Sequence, residues 1–314
     1  MKLDGFLLGT PESGGARAAE LEALGYDGVW TTETRHDPFL PLALAAGATR
    51  RVTLGTAIAT AFTRSPMVTA IAAWDLQRAS HGRFVLGLGT QVKAHNERRF
   101  SVPFESPGPK LRELVEALRH IWGAFQGEHQ LRFRGRFYRH DLLTPFFDPG
   151  PLDVGPPPIY LAAVTPYMYR LAGEVADGIH VHPFHTTRYL REVALPALGR
   201  RVTLVASAFC VVGGDDLAVR RQIAFYGSTR TYRPVLEAHG WGELSDSLHR
   251  LMARGDVAGM AAAISDEVLA EFAVFGSTWA EAVAGVRERY QGLLDRVAVY
   301  GGGDAEAVAA AWRG

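Results

Sequence analysis

The chain has 314 residues, with 33 basic and 33 acidic side chains and a net charge of zero. That length suits two average domains or one α/β barrel, and balanced charge without long single-sign blocks argues against nucleic acid or an anionic membrane as partner. Apolar runs fall short of the roughly 20 residues of a membrane span, MKLDGFLLG is not expected to act as a secretory signal, and the lone Cys210 permits no internal disulfide, which suits a reducing cytoplasm.

In chain order, strands are expected at Leu3–Gly9, Gly28–Glu33, Val52–Thr60, Phe84–Thr90, Ile159–Val164, Gly178–Pro183, Val202–Gly213 and Phe272–Gly276. Most are apolar on both faces, as in a parallel sheet covered by helices. Helical patterns fall between them, at Ala16–Leu24, Pro38–Ala48, Met67–Ser80, Lys110–Phe125, Pro166–Ala176 and Trp279–Tyr290. Gly25 is placed to cap the first helix, and Pro166 to open a helical first turn. Eight strands alternating with helices predict an α/β fold of the (β/α)8 TIM-barrel type, with insertions, in a single domain over 1–314. Residues 127–158, rich in proline, glycine and aromatics, read as an ordered excursion, and 215–270 as a helical insertion. Tyr138, Phe146 and Phe147 either roof a cavity or anchor the excursion.

The run FVLGLGTQVKAHNERRF carries a glycine pair, Gly87 and Gly89. A dinucleotide fingerprint needs a third small residue, where Val92 stands, and a helix opening at once. In a barrel the same residues end the fourth strand, where active sites are built. His180 and His182 fall on one strand face, a metal-ligand pattern also found in barrel hydrolases. Strand one offers no histidine pair to complete such a site, so the metal-dependent hydrolase is the lesser alternative and no metal is expected.

VWTTETRHDPFLPLALAA, VTLGTAIATAFTRSP, AAWDLQRASHGRFVLGLGTQVKAHNERRF and YLAAVTPYMYRLAGEVADGIHVHPF follow in the order seen in the bacterial luciferase-like superfamily. The chain resembles that superfamily over nearly its whole length, and within it the coenzyme F420 (deazaflavin)-dependent oxidoreductase branch. LPALGRRVTLVASAF departs from the pattern, with a shorter connection before strand seven. The resemblance implies hydride transfer between F420 and a small organic substrate. The alternatives are an FMN-dependent monooxygenase using a reductase partner and molecular oxygen, and a non-catalytic flavin binder.

The resemblance also implies the site. A non-prolyl cis bond is expected at Ala57–Ile58, backing the ring. Ala162, Ala163, Val164 and Thr165 are expected along ring and tail, with the helix start nearest the cofactor phosphate. Thr90, Gln91 and their neighbours are expected at the ring's polar edge, and Lys93 at a cofactor or substrate anion. His182 is expected to line the cofactor pocket or the substrate cavity. His36, in the loop after strand two, is the acid/base candidate, since an imidazole titrates near neutrality. Glu33 is a second candidate, or else a buried acid paired with Arg35 or Arg64. Arg98 and Arg99 read as a solvated helix face. The expected partners are the small-molecule substrate and a second copy of the chain in a homodimer.

Overall fold

The computed structural model describes residues 1–301 and 303–314. Eight parallel strands close a barrel: β1 (Lys2–Phe6), β2 (Gly28–Thr31), β3 (Thr53–Thr56), β5 (Phe84–Gly89), β8 (Ile159–Ala163), β9 (Gly178–Val181), β10 (Thr203–Val212) and β12 (Arg296–Val299). Pairing runs in that order and closes where Val205–Ala208 of β10 meets β12. Short β4 (Ala59–Thr60) continues β3, β6 (Phe133–Arg134) and β7 (Arg139–His140) form a hairpin, and β11 (Ala273–Gly276) lies outside the barrel. All six positions of β5 are buried, as a strand covered on both sides requires.

The eighth barrel strand is not Phe272–Gly276, the segment that the apolar pattern suggests. That segment does form a strand, but it pairs only with the upper half of β10, from Phe209 to Val212. The barrel is closed by Arg296–Val299, which bonds β1 on one side and β10 on the other. Both segments are short, apolar and next to helix Trp279–Tyr290, so local pattern does not separate them. What separates them is Arg296, whose side chain enters the barrel and pairs with Asp4 of β1, at 2.6 and 2.8 Å.

Helices follow the expected local rules. Helix Pro107–Phe125 buries Leu111, Leu114, Val115, Leu118, Ile121, Trp122 and Phe125, a stripe at three- and four-residue spacing. Ser65 caps helix Pro66–Ala79 by accepting the Val68 N–H, and Gly25 takes the left-handed conformation, φ +93°, after helix Gly14–Ala23. Among the described residues no helix is long and apolar enough to cross a membrane.

The 127–158 excursion is ordered and tied to two barrel helices. Trp74 and Arg78 donate to the Gly150 and Pro149 carbonyls, and Gln126 bonds both the N–H and the carbonyl of Leu152. These contacts lie at the C-terminal ends of helices Pro66–Ala79 and Pro107–Phe125, the face opposite the strand ends. Glu113 holds its hairpin by accepting the N–H groups of Arg136, Phe137 and Tyr138. Tyr138 is half-buried against the core, whereas Phe146 and Phe147 project into solvent, 89% and 71% exposed.

Candidate active site

The C-terminal strand ends surround an open mouth. Phe6, Thr32, Ala57, Ile58, Thr90, Ala162, His182 and Tyr300 are only half-buried although they stand over the centre of the fold. Beneath them the barrel is filled by Trp30, Val85, Tyr160 and Val205, with His180 packed edge-on to Trp30 at 4.9 Å. The site is therefore a crater above a solid floor.

One wall of the crater is a β-bulge. β3 pairs with β5 up to Gly55–Val85, and pairing resumes at Ala59–Leu88. Four residues advance on one strand against three on the other, so one residue is extra. The Ala57–Ile58 peptide within the bulge is cis, at the bond the resemblance implied. The Thr56 hydroxyl replaces the interrupted ladder, accepting the Gly87 N–H at 2.9 Å and donating to the Gly87 carbonyl at 2.6 Å.

The two glycines of this run serve different purposes. A Cβ on Gly87 would lie 1.8 Å from the Thr56 carbonyl oxygen, so Gly87 is required by the bulge and lies below the mouth. A Cβ on Gly89 would instead meet Ile58 Cδ1 and Cγ1 at 2.9 Å and Ala162 Cβ at 3.2 Å. Ile58, Gly89 and Ala162 thus form one low, apolar wall with nothing projecting from it.

Glu33 belongs to the bulge's support. Its carboxylate accepts the Thr60 N–H at 2.6 Å and pairs with Arg64 through both oxygens, at 2.9 and 3.1 Å, while its own N–H reaches the Ile58 carbonyl at 3.3 Å. Arg64 also binds Asp37 at 2.7 Å. Of the two readings of Glu33, the structure realises the buried acid paired with Arg64; both carboxylate oxygens are taken, by Arg64 and the Thr60 N–H.

The other expected residues divide. Thr90 is half-buried beside Gly89, and its carbonyl accepts Asn96 Nδ2 at 2.9 Å. Gln91 takes the left-handed conformation, φ +57°, with its side chain accepting the Val92 N–H. Val164 and Thr165 follow Ala162 at the rim, and Thr165 caps the helix from Pro166 through the Met168 N–H. Ala163 is turned away: alternation along β8 buries its side chain in the core outside the barrel, so only its backbone can face the mouth. Lys93 stands in solvent, 3.7 Å from Glu97. His36 is exposed and lines a cleft between the loops after β1 and β2, with Leu7, Thr32 and Thr34. Arg98 is exposed as expected, but Arg99 donates to the Thr34 carbonyl and ties the loop after β5 to the loop after β2. Asn96, fully buried, holds the 90–96 turn through the Thr90 and Val92 carbonyls; nothing local in its sequence marks it.

The three histidines of DGIHVHPFH go to three places. His180 is in the barrel floor; His182 stands at the mouth between Tyr226 and Tyr232; His185 bonds the His182 carbonyl and the Tyr290 hydroxyl. Among the described residues no three His, Cys, Asp or Glu side chains gather in metal-ligand geometry. Burial pushes His180 down to about 3, helped by the Arg296 charge, and burial likewise pushes His185 down to about 4. An unfolded histidine titrates near 6.5, so between these values the unfolded chain binds protons that the folded chain refuses. Stability is therefore expected to fall as pH drops from 7.5 to 5, by about 2 kcal/mol for each of these two residues. Urea unfolding across that range checks it; a flat profile would mean that both are charged in the folded protein.

The sequence profile of the luciferase-like monooxygenase family matches residues 9–296. The chain belongs to the luciferase-like monooxygenase family. It is an oxidoreductase of that superfamily. An uncharacterized protein of Mycobacterium tuberculosis is 47% identical to this luciferase-like chain over 315 aligned residues, covering 95% of this chain and 92% of that protein. The F420-dependent glucose-6-phosphate dehydrogenase of Intrasporangium calvum is 28% identical over 307 residues, 91% of this chain and 87% of that enzyme. Among solved structures, the coenzyme F420-dependent tetrahydromethanopterin reductase of Methanopyrus kandleri superposes with a TM-score of 0.78. At 21% identity, over 99% of this chain and 96% of that one, it establishes the luciferase-like barrel alone.

Proposed function

We propose that this luciferase-like enzyme is F420-dependent and transfers a hydride between the coenzyme and a small organic substrate. The observation that carries the reading is the Ile58–Gly89–Ala162 wall, an apolar surface kept low by glycine and alanine and backed by the bulge. A flat tricyclic ring fits against such a wall, where any larger side chain at position 89 would displace it. A bound deazaflavin supplies the carbon that gives or takes the hydride. The chain's residues do the rest. Ile58 shields one face, Thr90 and Gln91 hold the polar edge, and the helix start at Pro166 receives the phosphate. His36 moves the proton that accompanies the hydride. The relative named as F420-dependent favours F420 over FMN, which offers a ring of similar shape.

Titration of the purified protein with F420 and with FMN tests this, following the fluorescence of each. Saturable quenching of F420 with weaker or no FMN response is expected. Tight FMN binding without any F420 response would replace the proposal by the FMN-dependent monooxygenase. His36→Ala is expected to lower kcat roughly 100-fold on any substrate the enzyme turns over, with F420 affinity little changed. An unchanged kcat would remove His36 from the chemistry.

A further inference from the structure

Next to the apolar wall, beyond the β8–β9 strand pair, stand side chains to which the proposed function gives no part. His182 ends β9, Tyr300 follows β12, and Tyr226 and Tyr232 come from the helical insertion. The His182 ring meets Tyr226 edge-on, 4.6 Å between centroids at 80°, and meets Tyr232 at 4.6 Å and 50°. The Tyr226 and Tyr300 hydroxyls are 2.8 Å apart. All four side chains are half-buried, and none supplies a permanent charge.

Hydrogen bonds fix the state of His182. Its Nδ1 lies 3.1 Å from the Phe184 N–H, which can only donate, so Nδ1 carries no proton. The neutral ring must then hold its proton on Nε2. The same reasoning fixes the state of His185. The Tyr290 hydroxyl donates to His185 Nε2 at 3.0 Å, and His185 Nδ1 donates to the His182 carbonyl at 2.9 Å. Burial among the aromatic rings, with His185 alongside, holds the His182 imidazole below its ordinary range, so the uncharged form persists.

We propose that this arc is the substrate subsite, and that His182 Nε2–H is its specificity-determining donor, binding the carbonyl or hydroxyl oxygen of an uncharged, ring-sized substrate held against the arc. The placement beside a cofactor rests on the F420 reading; the donor and its walls do not. A carboxylate is disfavoured because none of the four residues offers a counter-charge for a desolvated anion. The subsite also gives the insertion a purpose, since it supplies two of the four walls.

Acetophenone and benzoate, alike in shape and different in charge, serve as probes. Nitrogen NMR of the wild-type protein at pH 7.5 should find Nδ1 of His182 unprotonated and Nε2 protonated. Acetophenone should shift the Nε2 resonance and bind at least about tenfold tighter than benzoate. His182→Phe should weaken acetophenone about tenfold, and His182→Gln, which keeps a neutral N–H donor, by less than about threefold. A proton on Nδ1, equal binding of benzoate, or undiminished acetophenone binding by His182→Phe would each overturn the proposal. Loss of F420 binding, with unchanged acetophenone binding, in His182→Phe would overturn it too, and make His182 a cofactor residue. F420 failing to bind the wild type would defeat the cofactor reading alone, since neither the tautomer nor the probe requires the coenzyme.

Discussion

Gly87→Ala is expected to cost about 3 kcal/mol or more of folding stability, enough to leave a marginal domain largely unfolded. The added methyl would sit 1.8 Å from the Thr56 carbonyl oxygen and 2.8 Å from His180 Nε2. Backbone on one side and a buried ring on the other cannot both retreat. The bulge also relies on the Thr56 hydroxyl bonding both backbone groups of Gly87, so any shift there breaks two hydrogen bonds. Gly89→Ala provides the contrast. Its methyl would meet only the end of the Ile58 side chain and the Ala162 methyl, at 2.9 and 3.2 Å, and Ile58 can rotate. A cost under about 1.5 kcal/mol is expected, with F420 affinity reduced because the wall is no longer flat. Urea unfolding and F420 titration on both variants separate the two roles. Equal stability losses would show that the bulge does not distinguish the glycines.

Asp4→Ala is expected to destabilise the fold by about 3–5 kcal/mol, because it strands the Arg296 guanidinium inside the barrel. Asp4 is 1% exposed and Arg296 7%; their two hydrogen bonds are joined by a third, from Trp30 Nε1 to Asp4 at 2.9 Å. No other acceptor is positioned to replace the carboxylate among the described contacts of Arg296. The double variant Asp4→Leu with Arg296→Met removes both charges, and should be less destabilised than Asp4→Ala alone. With the single variants Asp4→Leu and Arg296→Met completing the cycle, the non-additivity marks a coupled buried pair. Additive losses, measured by denaturant midpoints, would mean that each residue contributes through packing only. The pair also joins the first barrel strand to the last, so its removal is expected to loosen closure first.

Much of this architecture was legible from the chain alone, and the reason is local. Two-sided apolar runs, helical stripes such as Leu111 to Phe125, and caps such as Ser65 depend on neighbours a few residues away. The cis bond at Ala57–Ile58 was placed by likeness to a family, since the alanine and isoleucine themselves carry no such signal. Glu33 illustrates the limit. An acid at a strand end suits either catalysis or a buried ion pair, and only the position of Arg64, 31 residues away, decides.

What the sequence by itself determined was the class of elements, their order, the barrel they imply and the strand ends where a site must lie. Tertiary structure decided which of two similar segments closed the barrel, because closure depends on hydrogen bonds to β1 and β10, far away in the chain. It decided that Gly87 serves the bulge and Gly89 the mouth, that Ala163 faces outward, and that three neighbouring histidines part company. It also brought Tyr226 and Tyr232, from an insertion with no strand pattern to mark it, against His182. Periodicity reports whether a side chain is buried; only the folded contacts report against what.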